Sequence, residues 1–291
     1  MSSITFVLFL AGLVLLIVGA EALVRGASRL ATSVGISPLV VGLTVVAFGT
    51  SSPELAVTLQ STFAGQSELA VGNVVGSNIA NVLLILGIAA VLTPLVVDQR
   101  LVRLDVPLMI GLSILLLVLA LNGTLGRLDG LLLFSIAIAY TVYAIRQSHG
   151  ETPEVKDEYA KRYGADGDQK ARHIAVQVGL ILAGLAMLII GSRWLVEGAT
   201  AIAQSLGVSE LIIGTTIVAV GTSLPEIAIT VIASIKGQRD IAVGNAVGSN
   251  IFNITLVLGL TALLAPQGIQ VPPAALTFDI PVMIVAAVAK K

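Results

Sequence analysis

The chain has 291 residues, of which 56% are apolar and only 11% charged, a balance that excludes an ordinary soluble domain. Its net charge of −1 says nothing about partners, and the absence of cysteine removes disulfides, thiolate metal sites and cysteine nucleophiles. Windows of roughly 17–25 apolar residues predict nine spanning helices, at about 4–24, 37–63, 68–92, 104–121, 127–146, 174–196, 209–235, 241–264 and 275–289.

The first span follows Met1-Ser2-Ser3-Ile4, which lacks a basic leader region, so it reads as a retained helix rather than a signal peptide. The second carries Gly49-Thr50-Ser51-Ser52-Pro53-Glu54, and the seventh repeats it as Gly221-Thr222-Ser223-Leu224-Pro225-Glu226. Gly72-Asn73-Val74-Val75-Gly76-Ser77-Asn78-Ile79-Ala80-Asn81 in the third span returns in the eighth as Gly244-Asn245-Ala246-Val247-Gly248-Ser249-Asn250-Ile251-Phe252-Asn253. Both pairs share one offset (226 − 54 = 172; 253 − 81 = 172), and about 38 of 74 positions match from Gly19 to Leu92. The fourth and ninth spans pair as Leu104-Asp105-Val106-Pro107 with Phe278-Asp279-Ile280-Pro281. A counterpart of the fifth span would lie beyond Lys291. The predicted organisation is therefore 1–146 as a first half of five spans, 147–173 as a connecting loop, and 174–291 as a second half of four. The motif Asp166-Gly167-Asp168 and the residues His149 and His173 read as solvated connector.

Taken alternately, the loops divide the 16 Lys and Arg residues very unequally. Arg127 and Arg193 fall on the side of the N-terminus, and the other fourteen (16 − 2) fall opposite, from Arg25 to Lys291. The positive-inside rule then puts the N-terminus outside and the central loop in the cytoplasm of a cell whose plasma (inner) membrane holds the chain. Matched loops carry opposite charge patterns: Arg25 corresponds to Glu197, and Ala64 to Lys236. With five helices per repeat, the second copy enters from the other face. The predicted fold is all-α and integral to the bilayer, an inverted-topology repeat of five plus five helices with nine spans evident.

A carboxylate at the centre of a span costs roughly 2.5–3.5 kcal/mol or more and marks an ion or proton pathway. Glu54 and Glu226 are such carboxylates. One turn before Glu54 stands Thr50, with Ser51 beside it, and Pro53 cannot donate its helical hydrogen bond. A single such proline is an ordinary kink, but Thr-Ser-x-Pro-Glu occurring twice marks a site. Carboxylate, hydroxyl and carbonyl oxygens suit a hard cation, since Ca²⁺ takes roughly 6–8 oxygen ligands. Thr222 and Ser223 repeat the set. Ser77, Asn81, Ser249 and Asn253 add neutral oxygens at four-residue spacing, with Asn73 and Asn245 ranked below them as interhelical hydrogen-bond donors. Gly72/Gly76 and Gly244/Gly248 have the spacing that permits close helix approach. Glu21–Arg25 and Arg193–Glu197 each have the i,i+4 spacing of a salt bridge.

These motifs resemble the two alpha-repeats of the calcium/cation antiporter superfamily, typified by the sodium/calcium exchangers, with the prokaryotic short-loop branch most similar. The resemblance implies ten helices and a cation site at Glu54 and Glu226, with Thr50, Ser51, Thr222, Ser223, Ser77 and Ser249 around them. It also implies a gating role for the first and sixth spans. Asn81 and Asn253 are both amides, where some potassium-dependent relatives carry Asp at the second position. The implied activity is exchange of Ca²⁺ for Na⁺ by alternating access, independent of K⁺, with H⁺ as the alternative coupling ion. The partners are then the lipid bilayer and the ions, without cofactor, nucleic acid or obligate protein partner. An intramembrane enzyme would need an acid and a base in distinct surroundings, whereas here both Glu residues sit in equivalent frames and both His residues lie outside the spans.

Overall fold

Apolar runs in this chain are too long for a soluble core, and they form helices whose backbone groups are satisfied internally, as lipid requires. The computed structural model describes residues 3–93, 98–149, 170–207 and 219–289. In order they form α1 (Ser3–Val34), α2 (Pro38–Thr50), α3 (Ser52–Phe63), α4 (Ser67–Leu92), α5 (Leu101–Ala120), α6 (Arg127–His149), α7 (Lys170–Ser205), α8 (Leu224–Ile235), α9 (Arg239–Leu264) and α10 (Ala275–Ala289). A short turn, Ala219–Gly221, precedes α8. Among the described residues six helices are long and apolar enough to cross a bilayer, and the α2–α3 pair, bent by 40°, makes a seventh.

The predicted spans fall on these helices, apart from positions 209–218 at the start of the seventh, which lie outside the described residues. So do residues 150–169 of the connecting loop, Asp166-Gly167-Asp168 included. Two helices outrun their prediction. α1 has 32 residues and α7 has 36, about 48 and 54 Å at 1.5 Å per residue, against roughly 30 Å of hydrocarbon. Their extra turns carry Arg25, Arg29 and Glu197, which an apolar window excludes although the backbone stays helical.

α1 and α7 are repeat equivalents, and they run antiparallel. Glycines recur every seven residues on both, at Gly12, Gly19 and Gly26 and at Gly184, Gly191 and Gly198. A Cβ on Gly12 would stand 2.7 Å from the Gly191 carbonyl oxygen, and one on Gly19 would stand 2.9 Å from that of Gly184. The backbones therefore touch directly, and no side chain fits between them. Equivalent helices meeting antiparallel is the inverted repeat seen in the structure itself.

The remaining helices interleave. Gly244 and Gly248 of α9 press on Leu39 and Leu43 of α2, as their small-residue spacing predicts. A Cβ added to Gly72 or Gly76 would meet no described residue of another helix within 4 Å; the positions matching Leu39 and Leu43 are 211 and 215, outside the described residues. A buried apolar cluster around Leu43, Val74, Met109, Val247 and Met283 packs α2, α4, α5, α9 and α10 together.

The all-α expectation has one exception. Thr124–Leu125, after α5, pairs antiparallel with Ile269–Gln270, after α9. Gly123 (φ +82) and Gly268 (φ +70) provide the left-handed turns that bring the two loops together. Two residues per strand are too few for any periodicity to register in the sequence.

Candidate cation-binding site

The site begins with two breaks in the helical backbone. α2 ends where Ser51 adopts φ −76, ψ 2, and α3 restarts with Pro53 and Glu54 in its first turn. Ser223 repeats the break at φ −86, ψ 4, ahead of Pro225 and Glu226 in the first turn of α8. Each carboxylate thus sits at a helix N-terminus, where unpaired N–H groups and the helix dipole favour negative charge. Glu54 is 0% exposed and Glu226 1%.

Two further irregularities face these breaks. Asn81 opens a wide i→i+5 turn in α4 (Asn81–Ile85), and Asn253 opens the matching one in α9 (Asn253–Leu258). Such turns re-aim side chains and cluster at functional positions.

Most of the hydrogen bonds cross from one repeat to the other, and the pattern recurs under the two-fold exchange. Thr50 Oγ1 donates to Asn245 Oδ1 (3.1 Å), as Thr222 Oγ1 does to Asn73 Oδ1 (3.5 Å). Asn73 Nδ2 donates to Thr58 Oγ1 (3.0 Å), and Asn245 Nδ2 to Thr230 Oγ1 (3.4 Å). Asn81 Nδ2 reaches Asn250 Oδ1 (2.9 Å), and Asn253 Nδ2 reaches Asn78 Oδ1 (3.0 Å). Ser77 Oγ donates to Glu54 Oε1 (3.5 Å) and accepts from Ser223 Oγ (3.3 Å), while Thr50 and Ser249 hydroxyls lie 3.3 Å apart. Thr222 and Ser223 also stand beside Glu54, and Thr50 and Ser249 beside Glu226.

What these bonds leave over defines the chemistry. Among the described residues, Glu54 Oε2, both carboxylate oxygens of Glu226, Asn81 Oδ1, Asn253 Oδ1 and Ser51 Oγ are buried and make no hydrogen bond. The amide nitrogens of both Asn residues are used, so the oxygens are held in fixed directions. Buried polar atoms are ordinarily paired, and orphaned acceptors from matched positions of two repeats match the donor set of a hard cation. Among the described residues no three of Asp, Glu, His and Cys converge, so the charge of the set is carried by two carboxylates alone.

The profile of the sodium/calcium exchanger protein family matches residues 4–146 and 176–289, both repeats almost end to end. The chain belongs to that family. It is 39% identical to the sodium/calcium exchanger MaX1 of Methanosarcina acetivorans, over 98% of this chain and 89% of that one. It is 38% identical to the inner membrane protein YrbG of Escherichia coli, over 97% and 86%. The solved sodium-calcium exchanger NCX_Mj superposes with a TM-score of 0.83 at 27% identity, over 98% of this chain and 88% of that one. The family is one of multi-pass membrane transporters, not of enzymes.

Of the ten residues predicted to form the site, Thr50, Glu54, Ser77, Thr222, Ser223, Glu226 and Ser249 are drawn together by side-chain contacts, and Asn81 and Asn253 join a second cross-repeat network through Asn250 and Asn78. Ser51 is buried, with no side-chain hydrogen bond to the others among the described residues. Thr222 and Asn73 are the less buried members of the surrounding network, the others named being closed from solvent. Asn73 and Asn245 cross-link helices, the lesser role predicted for them. Sequence reasoning passed over Asn78 and Asn250, 1% and 2% exposed, which hold Asn253 and Asn81 and also bond each other's backbone carbonyls (3.4 and 3.2 Å). It passed over Thr58 and Thr230 as well. The signal was present, since both pairs recur at the 172-residue offset as polar residues within apolar spans. One expected salt bridge is corrected: Glu21–Arg25 forms at 2.7 Å, whereas Arg193 and Glu197 have no ion pair among the described residues. Both of the latter are exposed, and hydration replaces so weak a surface pair at little cost.

Proposed function

We propose that this chain exchanges Ca²⁺ for Na⁺ across the plasma membrane by alternating access, without K⁺. Glu54 and Glu226 act as the charged ligands, and Thr50, Ser51, Ser77, Asn81, Thr222, Ser223, Ser249 and Asn253 complete the oxygen shell. The observation that carries this reading is the set of orphaned oxygens, above all the two unpartnered oxygens of Glu226. Two carboxylates balance one Ca²⁺ or two Na⁺, so either ion can neutralise the same buried site. Neutral Asn81 and Asn253 give no further charge for a co-transported K⁺. The sodium/calcium exchanger names of MaX1 and NCX_Mj support the ion assignment. The N-terminus faces outward and the central loop lies in the cytoplasm, in line with the fourteen-to-two distribution of cations. The bilayer is its other partner.

The deciding experiment is ⁴⁵Ca²⁺ uptake into proteoliposomes under an imposed Na⁺ gradient, with and without K⁺, and then under an imposed pH gradient. Uptake driven by Na⁺ and indifferent to K⁺ is expected. Uptake driven by the pH gradient in Na⁺-free buffer would instead assign H⁺ as the coupling ion.

A further inference from the structure

The two repeats do not close equally around the paired carboxylates. Between α3 and α7, Val57, Gln60, Ser192, Arg193, Glu197 and Thr222 line a cavity of about 490 Å³ that reaches the site. On the opposite face the matched residues (57 + 172 = 229; 192 − 172 = 20; 196 − 172 = 24) are Ile229, Ala20 and Val24, each 0% exposed and packed in one apolar cluster. Thr50, the match of Thr222, is 1% exposed. Among the described residues one face of the site is lined by a cavity and the other is packed shut.

The sealed face also carries an ion pair between α1 and the end of α8. Glu21 of α1 meets Lys236 Nζ, just past the end of α8, at 2.7 Å, and Arg25 flanks it at 2.7 Å. α1 is bound to α7 by direct backbone contact, whereas α8 carries Glu226. The pair therefore ties the α1–α7 unit to the carboxylate-bearing core. On the open face the matched residues (21 + 172 = 193; 236 − 172 = 64) are Arg193 and Ala64, and Ala64 has no group to offer. Arg193 stands without an ion-pair partner among the described residues.

We propose that Glu21–Lys236 is a one-sided latch: it holds α1–α7 down over one face of the site, and the lack of its mirror image makes the other face the resting opening. The proposal rests on reading the chain as an alternating-access exchanger. The side chains are 39% and 30% exposed, so the pair biases the equilibrium without locking it and weakens as salt rises. The cation count places the sealed face in the cytoplasm.

The chain contains no cysteine, so single cysteines report cleanly. Ala56→Cys marks the open face and Ala228→Cys its sealed counterpart (56 + 172 = 228), and each is labelled with a membrane-impermeant maleimide while both faces are accessible. Lys236→Gln is expected to lower the ratio of Ala56→Cys to Ala228→Cys labelling by about two- to fivefold, the range a partly exposed ion pair allows. Lys236→Arg keeps the native ratio. Ala64→Glu, which gives Arg193 the missing partner, lowers the ratio on its own. An unchanged ratio in Lys236→Gln, an equal fall in Lys236→Arg, or a rise in Ala64→Glu overturns the latch. Labelling reads which face is open whatever ion is carried, so a wrong ion assignment leaves this test intact.

Discussion

Replacing Glu226 with Gln removes one of two charges while keeping the shape of the side chain. Both oxygens of Glu226 are buried and make no hydrogen bond among the described residues, and no cationic side chain pairs with them there, so a bound cation would supply the counter-charge. At about 4 Å and an effective dielectric constant of about 20, one charge pair is worth about 4 kcal/mol, so a divalent ion loses about 8 and a monovalent about 4. Dehydration of the ion and the carboxylate offsets part of this. With half retained, Ca²⁺ loses about 4 kcal/mol, roughly a thousandfold in affinity, and Na⁺ about 2 kcal/mol, roughly thirtyfold. The assay is the shift of the thermal unfolding midpoint with added ion, alongside equilibrium ⁴⁵Ca²⁺ binding. A concentration one hundred times the native Kd stabilises the native chain by about 2.7 kcal/mol, and falls to about a tenth of the weakened Kd, where stabilisation vanishes. The ion-free variant should melt at or above the native midpoint, because an unpaired buried charge has been removed. A surviving Ca²⁺-dependent shift, or equal losses for Ca²⁺ and Na⁺, would refute the charge assignment.

Asn253→Asp adds a third carboxylate but deprives Asn78 Oδ1 of its donor at 3.0 Å; the ion-free chain should lose about 1–3 kcal/mol, while Ca²⁺ release measured by stopped flow slows. Gly19→Val drives a side chain into the Gly184 carbonyl 2.9 Å away and should separate α1 from α7, seen as a lower unfolding midpoint and lost uptake; a neutral result would show that their backbones do not meet. A cysteine at Asp168, in the loop outside the described residues, should react with impermeant maleimide only in permeabilised cells, and labelling of intact cells would reverse the assigned orientation.

Much of this molecule is readable from residue order because its signals are local or repeated. Long apolar windows locate the helices, since lipid admits little else. The offset of 172 residues pairs Glu54 with Glu226 and Ser77 with Ser249, since duplicated chemistry leaves duplicated letters. The inversion follows from charge, as Arg25 against Glu197 reverses the sign of matched loops. Tertiary structure alone decided the rest. That Asn78 directs the oxygen of Asn253, and Asn250 that of Asn81, depends on contacts across some 170 residues of chain, which no window of sequence reaches. The Glu21–Lys236 pair spans 215 positions, whereas its i,i+4 neighbour Arg25 was predictable from helix geometry. Nor does sequence say which face of the site is closed: about half of the matched positions are identical, and that Ile229 is packed shut while Val57 lines a cavity is visible only in the tertiary structure.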